Sequence, residues 1–211
     1  NTISKFDIII QDIYNIKQIK SEQISIEIIY ESPVNHLLTK HNEIINNITI
    51  EPSITTIEEH NFENCTSITK MIIPQTIKKL GTESFKNCKS LKDINLSSSI
   101  KQISNGCFSG CSSLTQITIP KSFSEINENL FENCCSLNEI AIPKNITKIR
   151  SKSFKNCSSL KEIVFEETIA AIERESFNGC SSLKKIIIPS NSSISIFDDF
   201  TFYKCTSLQE I

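Results

Sequence analysis

A phenylalanine recurs along the chain at almost constant intervals, and this period restricts the fold more than any other feature. The spacing is 23 residues five times and then 25. A cysteine follows three residues after each phenylalanine, and an aliphatic residue follows three residues after each cysteine. A fixed period of this length indicates a stack of similar supersecondary units. The phenylalanines are Phe62, Phe85, Phe108, Phe131, Phe154, Phe177 and Phe202.

Each unit contains a segment in which apolar and polar residues alternate, as in 114–119. This period of two predicts a strand with one buried face. A second apolar pair, such as Ile146 and Ile149, predicts the return of the chain across the back, and a short helical or 3₁₀ turn is expected before each phenylalanine. Since so short a unit cannot bury its own apolar face, equivalent strands should pair in parallel. The prediction is an α/β solenoid: a curved right-handed stack with a parallel sheet on its concave face and short strands or 3₁₀ turns on its convex face.

One column of the repeat alternates between asparagine and glycine. Both residues tolerate the left-handed region of backbone space, so the column predicts a turn with positive φ in each unit. Lys204, in the unit with the two-residue insertion, departs from this pattern. The members are Asn64, Asn87, Gly110, Asn133, Asn156 and Gly179.

The repeat weakens toward the N-terminus. Residues 40–62 keep the apolar columns, so the solenoid is predicted over 40–211, and residues 1–39 are predicted to form a cap and a degenerate repeat. The chain lacks an initiator Met and stops inside a predicted strand at Ile211, so we expect a piece of a longer protein. A cap helix, with a strand as the alternative, is predicted from the spacing of Phe6, Ile9, Ile10, Ile13 and Ile16.

The frame of one unit resembles the BspA-like leucine-rich repeat family, with the match covering about 63–211 and weaker agreement back to residue 40. The family's alanine before the phenylalanine is replaced, for example by Ser84 and Cys107, and its glycine appears as Gly81 alone. The resemblance implies a leucine-rich repeat solenoid of the surface-adhesin type found in bacteria and parasitic protists. The residues that carry it are Leu114, Ile117, Ile119, Pro120, Phe123, Ile126, Phe131, Asn133, Cys134 and Leu137.

Charge and hydropathy narrow the classes of partner. The net charge is −2 and the pI is about 6.0, so no overall field favours nucleic acid or an anionic membrane surface. No run of about 18 apolar residues occurs, so no membrane insertion is expected.

The nine cysteines are expected to be free, buried thiols that act as small hydrophobic residues. Seven of them share one column, where bridges between every pair of neighbours are impossible. No C-x-x-C pair exists, so no zinc or other metal site is predicted. Cys135 lies off the column and should point away from the core, which makes it the candidate exposed thiol.

Residues suited to catalysis are scarce. The three histidines, His36, His41 and His60, all precede the regular units, and Cys65 occupies a core column rather than a nucleophile's position. Four glycines provide no phosphate-binding loop. We therefore expect neither enzymatic activity nor a cofactor.

The outward positions of the predicted strands form the candidate binding face on the concave sheet. One column is mixed in charge with an acidic centre, and its neighbour is half apolar, which is typical of interaction surfaces. An ordinary mixed surface is the alternative interpretation. The first column is Lys70, Asp93, Gln116, Glu139, Glu162 and Lys185, and the second is Ile72, Asn95, Thr118, Ala141, Val164 and Ile187.

These features predict a non-enzymatic module that binds a protein partner, with a surface adhesion role implied by the resemblance. An intracellular scaffold is the first alternative, because an odd number of unbridged cysteines favours a reducing compartment. A self-assembling homo-oligomer that uses the N-terminal segment or the last coil is the second. The resemblance favours the cell surface over the cytoplasm.

Overall fold

The computed structural model describes residues 7–8, 27–30, 47–50, 52–194 and 197–210. Within these ranges the chain forms thirteen short strands and no helix. The strands are β1 (Asp7–Ile8), β2 (Glu27–Tyr30), β3 (Asn47–Ile50), β4 (Thr56–Ile57), β5 (Lys70–Ile72), β6 (Lys79–Leu80), β7 (Asp93–Asn95), β8 (Gln102–Ile103), β9 (Glu125–Ile126), β10 (Lys148–Ile149), β11 (Glu162–Val164), β12 (Ala171–Ile172) and β13 (Lys185–Ile187).

The predicted parallel sheet forms between strands that lie one repeat apart. β5 pairs with β7 and β11 pairs with β13, each in register so that equivalent residues of neighbouring coils are partners. β1, β2 and β3 pair in the same parallel way, and β3 contacts β5. Of the proposed N-terminal cap, the structure describes these first strands alone, and the cap helix predicted from the spacing of Phe6 to Ile16 otherwise lies outside the described residues. We call the surface formed by residues 70–72, 93–95, 116–118, 139–141, 162–164 and 185–187 the strand face.

The strand face is interrupted at its centre, where residues 116–118 and 139–141 are not strands, and the strand predicted over 114–119 was therefore wrong. No backbone hydrogen bond joins residues 116–119 to either neighbouring coil, although all of them lie in the described range 52–194. A charge pattern accounts for one edge of this gap, between residues 139–141 and 162–164. Opposite charges face each other where the sheet forms, as at Lys70 and Asp93, whereas Glu139 and Glu162 occupy successive coils where it does not. Like charges directly opposite each other destabilise strand pairing.

A second parallel ladder runs along the back of the coils. It consists of the sheet β4-β6-β8 and the sheet β9-β10-β12, and an isolated bridge from Ile172 to Phe197 extends it. β8 and β9 do not pair, and the Asn127 side-chain amide instead donates a hydrogen bond to the Ile103 carbonyl. The buried residue of each strand, such as Leu80 or Ile149, contributes to one continuous core.

After the second ladder, each coil makes a compact turn that ends at the cysteine. We call these turns, residues 60–65, 83–88, 106–111, 129–134, 152–157, 175–180 and 200–205, the turn stack. Along each turn, the backbone amides donate hydrogen bonds alternately to a carbonyl of the same coil and to a carbonyl of the next coil. The Lys86 amide donates to Glu83 O at 3.0 Å, whereas the Phe85 amide donates to Cys107 O at 2.9 Å.

Two columns of the turn stack have positive φ, four residues apart. The asparagine and glycine column has φ between 58° and 78°, as predicted, and Lys204 keeps the conformation with φ 60°. The second column was not predicted. Its members are His60, Glu83, Gly106, Asn129, Lys152, Glu175 and Phe200.

The predicted leucine-rich repeat solenoid is confirmed, but α/β describes it loosely, and this alternation of conformation explains why. A helix needs consecutive residues in the right-handed region, and a left-handed residue at both ends of each turn prevents this. The described turns are therefore isolated hydrogen-bonded turns rather than helical or 3₁₀ turns. The described residues form a parallel β-solenoid, in which the predicted short strands along the back are present.

The core of the turn stack consists of the phenylalanine and cysteine columns. Successive phenylalanine rings stack with centroids 5.1 to 5.9 Å apart from Phe62 to Phe202. The nine cysteines are free, as predicted, and each column thiol from Cys88 to Cys205 donates to the phenylalanine carbonyl of the preceding coil at 3.0 to 3.2 Å. The cysteine therefore fills the core and also satisfies a buried acceptor.

Candidate binding surface

The residues proposed for binding all lie on the strand face and point outward. Ten of the twelve are exposed, and Asp93 and Lys185 are half-buried. Three apolar side chains stand out, because Ile72, Val164 and Ile187 are 64%, 45% and 36% exposed. Alternation with the buried positions explains this placement, since successive side chains of an extended segment point to opposite sides.

The charges on the strand face are paired at both ends and unpaired in the middle. Lys70 Nζ lies 3.1 Å from Asp93 Oδ2, and Lys185 Nζ lies 3.0 Å from Glu210 Oε2. The hydrogen bond from Lys185 to Glu210 raises the pKa of Lys185. In the described part of the chain, no cationic nitrogen lies within 4.0 Å of the carboxylates of Glu139 or Glu162. The centre of the face therefore carries two carboxylates that form no ion pair, although the charge of Glu162 contributes to the raised pKa of Lys185.

Two open hollows flank the segment 139–141. The first, of about 400 Å³, has Ile94, Ile117 and Ile140 among its lining residues, and the second, of about 530 Å³, lies toward Val164. The core residues beneath are slightly uncovered here, since Ile117 and Ile140 are each 7% exposed whereas Ile163 is 1% exposed. The core is therefore slightly less covered at the centre of the strand face than beside it.

The interruption also leaves backbone groups available. Residues 116–119 and 139–142 are all described, and none of their backbone amides donates a hydrogen bond to another backbone group. Groups of this kind can bond to water or to a ligand. This feature could not be predicted from the sequence, because Ile117 and Ile140 follow the same alternation of apolar and polar residues as segments whose strands do pair.

The strand face offers groups that can bind a partner through charge, hydrogen bonds and apolar contact. It offers carboxylates, amides, ammonium groups, a hydroxyl and apolar side chains, and it carries no histidine or cysteine. Among the described residues, the group with a metal-ligand arrangement lies elsewhere, at His60, Glu63 and Glu83 in the turn stack. The described residues also include no apolar helix of a length that could cross a bilayer.

The candidate exposed thiol lies outside the strand face. Cys135 is exposed and its Sγ lies 3.4 Å from Asn133 O, whereas Cys107, the other cysteine off the column, is buried with its Sγ 3.2 Å from Ser84 Oγ. Burial raises the pKa of Cys107 from 9.0 to about 12. Two exposed aromatic side chains that the sequence analysis did not single out, Phe200 and Tyr203, project from the last turn.

Comparison with solved structures shows the same fold in bacterial proteins. A leucine-rich repeat protein of T. pallidum is 22% identical, with a TM-score of 0.69 over 88% of this chain and 78% of its own. A leucine-rich cell surface protein of Faecalibacterium prausnitzii is 24% identical, with a TM-score of 0.64 over 82% of this chain and 44% of its own. A leucine-rich repeat protein of Eubacterium ventriosum is 19% identical, with a TM-score of 0.61 over 84% of this chain and 58% of its own. The chain therefore spans less than two thirds of the second and third proteins.

Comparison of the sequence identifies the family. No curated protein sequence matches the chain. The family model of the BspA type leucine-rich repeat region matches residues 40–158 and 124–211, in six copies. These matches cover most of the chain and include the whole turn stack from residue 60 onward. The chain belongs to the BspA type leucine-rich repeat family.

Proposed function

We propose that the strand face binds a protein partner and that the chain acts by binding, without catalysis. The observation that carries the proposal is the unpaired acidic centre at Glu139 and Glu162, between exposed apolar side chains on either side. Exposed apolar side chains cost free energy in water, and apolar surface beside polar groups is typical of interaction sites.

The partner that fits this face carries basic groups surrounded by apolar ones. Ile72, Val164 and Ile187 are the apolar anchors, because burying an exposed aliphatic side chain contributes about 1.5–3 kcal/mol. Glu139 and Glu162 set the orientation of the partner through charge complementarity. Lys185 contributes less, since Glu210 already neutralises it.

The proposed location is the cell surface, where the chain would act in adhesion. The leucine-rich protein of Faecalibacterium prausnitzii is a cell surface protein, which supports this location for a chain of similar fold. Buried free thiols are compatible with this location, because neither oxidants nor partner thiols reach them.

Capture experiments with matched variants test the proposed function. The variant Glu139→Lys with Glu162→Lys reverses the central charge, and Glu58→Lys with Glu128→Lys applies the same change at exposed positions off the strand face. Wild type and the second variant should capture the same partner from candidate host and self proteins, and the first variant should lose at least about tenfold in affinity. Equal capture by both variants would rule out the centre of the strand face.

Self-association is a second candidate, favoured by the aromatic side chains of the last turn. Phe200 and Tyr203 are each 53% exposed, and they occupy columns where the preceding coil has Glu175 and Asn178. Their rings pack edge to face at 5.7 Å, and the Arg174 guanidinium lies 5.6 Å from the Phe200 centroid. Light scattering over a dilution series tests this. Dimers that dissociate on dilution and are lost in Tyr203→Asn support it, and a monomer at every concentration contradicts it.

A further inference from the structure

We infer that His60, Glu63 and Glu83 form a binding site for a divalent transition-metal ion of the zinc class. The site lies in the first turns of the turn stack, apart from the strand face, and it joins two coils. His60 and Glu63 belong to one turn and Glu83 to the next. Imidazole and carboxylate groups together favour Zn²⁺ over Mg²⁺ or Ca²⁺, which prefer oxygen ligands alone.

The donor atoms lie close enough together to surround a small cation, since all are within 4.8 Å of one another. His60 Nδ1 lies 2.8 Å from Glu63 Oε2 and 3.5 Å from Glu83 Oε2. Ligands at about 2.1 Å from a tetrahedral zinc ion lie about 3.4 Å from each other. The three side chains can therefore each supply one ligand to the same ion, and water can occupy the fourth coordination position.

The state of His60 Nδ1 points to a ligand independently of these distances. This nitrogen is buried from solvent and makes no hydrogen bond, even though two carboxylate oxygens are close to it. At the other side of the ring, His60 Nε2 lies 3.3 Å from Glu59 Oε1. In metal-binding histidines, a carboxylate beside the second ring nitrogen orients the ring so that the first nitrogen faces the ion. A cation between Nδ1 and the two carboxylates would satisfy all three groups.

A cation already lies against these carboxylates. Lys86 Nζ is 2.7 Å from Glu83 Oε2 and 3.8 Å from Glu63 Oε1. The Lys86 ammonium therefore competes with a metal ion for the same charges, and metal binding must displace it. The side chains are accessible enough for exchange, because His60, Glu63 and Glu83 are 41%, 25% and 29% exposed.

The equivalent position three coils later shows what is particular to this site. Asn129, Glu132 and Lys152 occupy the columns of His60, Glu63 and Glu83. Asn129 has φ 54°, close to the 59° of His60, so His60→Asn preserves a backbone conformation that this column already accommodates. Glu132→Gln is the matched control for Glu63→Gln.

Calorimetric titration with zinc chloride tests the site, in a Cys135→Ser background that removes the exposed thiol as a competing ligand. We expect one equivalent of Zn²⁺ to bind and to raise the melting temperature. His60→Asn and Glu63→Gln should weaken binding by at least about tenfold, whereas Glu132→Gln should leave it unchanged. Lys86→Gln should tighten binding by about fivefold, because it removes the competing charge.

Three results would overturn the inference. The first is no saturable binding, and the second is binding that His60→Asn does not weaken. The third is equal competition by Mg²⁺, since an acidic patch without a nitrogen ligand would not distinguish the two ions. The circular dichroism of metal-free His60→Asn should match that of the parent, which separates loss of a ligand from loss of the fold.

Discussion

The turn stack and the strand face belong to the same coils, yet different interactions hold them together. In the turn stack, three backbone hydrogen bonds join each coil to the next from His60 to Tyr203, and the phenylalanine rings stack without a break. On the strand face, the ladder is interrupted at residues 116–118 and 139–141. Between β8 and β9 the second ladder is interrupted too.

The difference shows which part of the repeat holds the coils together. Between the coils of Phe108 and Phe131, neither strand ladder forms. The turn stack supplies three of the five backbone hydrogen bonds between them, from Gly106, Phe108 and Gly110, and the amides of Ser136 and Asn138 supply the other two. The strand face can therefore vary its outward residues, even to unfavourable neighbours such as Glu139 and Glu162, without loss of the solenoid. Stability and the proposed binding reside in different parts of each coil.

Alkaline pH should have the largest effect on stability of the changes considered, because it unfolds the turn stack. Burial raises the pKa of the column thiols, including Cys88, Cys157 and Cys180. A folded-state pKa above that of the unfolded chain means that the stability from the protonated thiol is complete below about pH 9 and is lost as pH rises above it. Each buried thiol then costs about 1.4 kcal/mol per pH unit. Circular dichroism under reducing conditions should show cooperative unfolding at about pH 10. A fold that is unchanged at pH 11 would contradict this.

Substitution of a core residue in each region compares their contributions directly. Phe131→Ala removes a stacked ring between Phe108 and Phe154 and should cost about 4 kcal/mol of unfolding free energy. Ile140→Ala, in the same unit beneath the interrupted strand face, should cost about 2 kcal/mol, because this residue is already partly uncovered. Urea denaturation measures both. The comparison fails if Ile140→Ala is the more destabilising change.

Gly110→Ala sharpens the comparison by acting on the backbone of the turn stack. Gly110 has φ 74°, and a Cβ atom there would lie 2.2 Å from Asn87 Oδ1. We expect a loss of about 1–2 kcal/mol, mainly from left-handed strain, because Asn87 Oδ1 is the end of a flexible side chain that can move aside. Asn87→Gly in the same chain should remove the remaining clash and recover about 0.5 kcal/mol of the loss in a double-mutant cycle. Additive effects would show that Asn87 does not restrict Gly110.

Outward substitutions on the strand face should have the smallest effect on stability. Gln116→Ala and Thr118→Ala lie at exposed positions without strand pairing, so each should change the unfolding free energy by less than about 0.5 kcal/mol. Thermal denaturation checks this. A loss above about 1 kcal/mol would show that these residues support the coils after all.

Most of the fold can be predicted from the periodic part of the sequence. Apolar columns such as the one from Leu91 to Leu208 recur at the interval of the repeat and mark the core. The asparagine and glycine column predicts positive φ, because these residue types favour that conformation. The second left-handed column could not be predicted in this way, because Glu83 and Lys152 carry no preference for positive φ and are held there by the hydrogen bonds of the neighbouring coils.

The outward residues of the strand face were predictable from the period of two, but the state of the sheet was not. Residues 114–119 alternate as regularly as residues 160–165, and only the latter contain a strand. Pairing depends on the charges of the neighbouring coils as well as on local sequence. The His60 group was missed for a similar reason, since Glu83 approaches His60 from the next coil, 23 residues away.

Native-state hydrogen exchange tests the central contrast most directly. The amides of Phe108, Phe131 and Phe154 donate to the next coil at 2.8 to 3.1 Å and should exchange only through global unfolding. The amides of Ile117 and Ile140 should exchange at least about a hundredfold faster, because they lack backbone partners. Equal protection of the two sets would show that the strand face is paired throughout and would contradict the account.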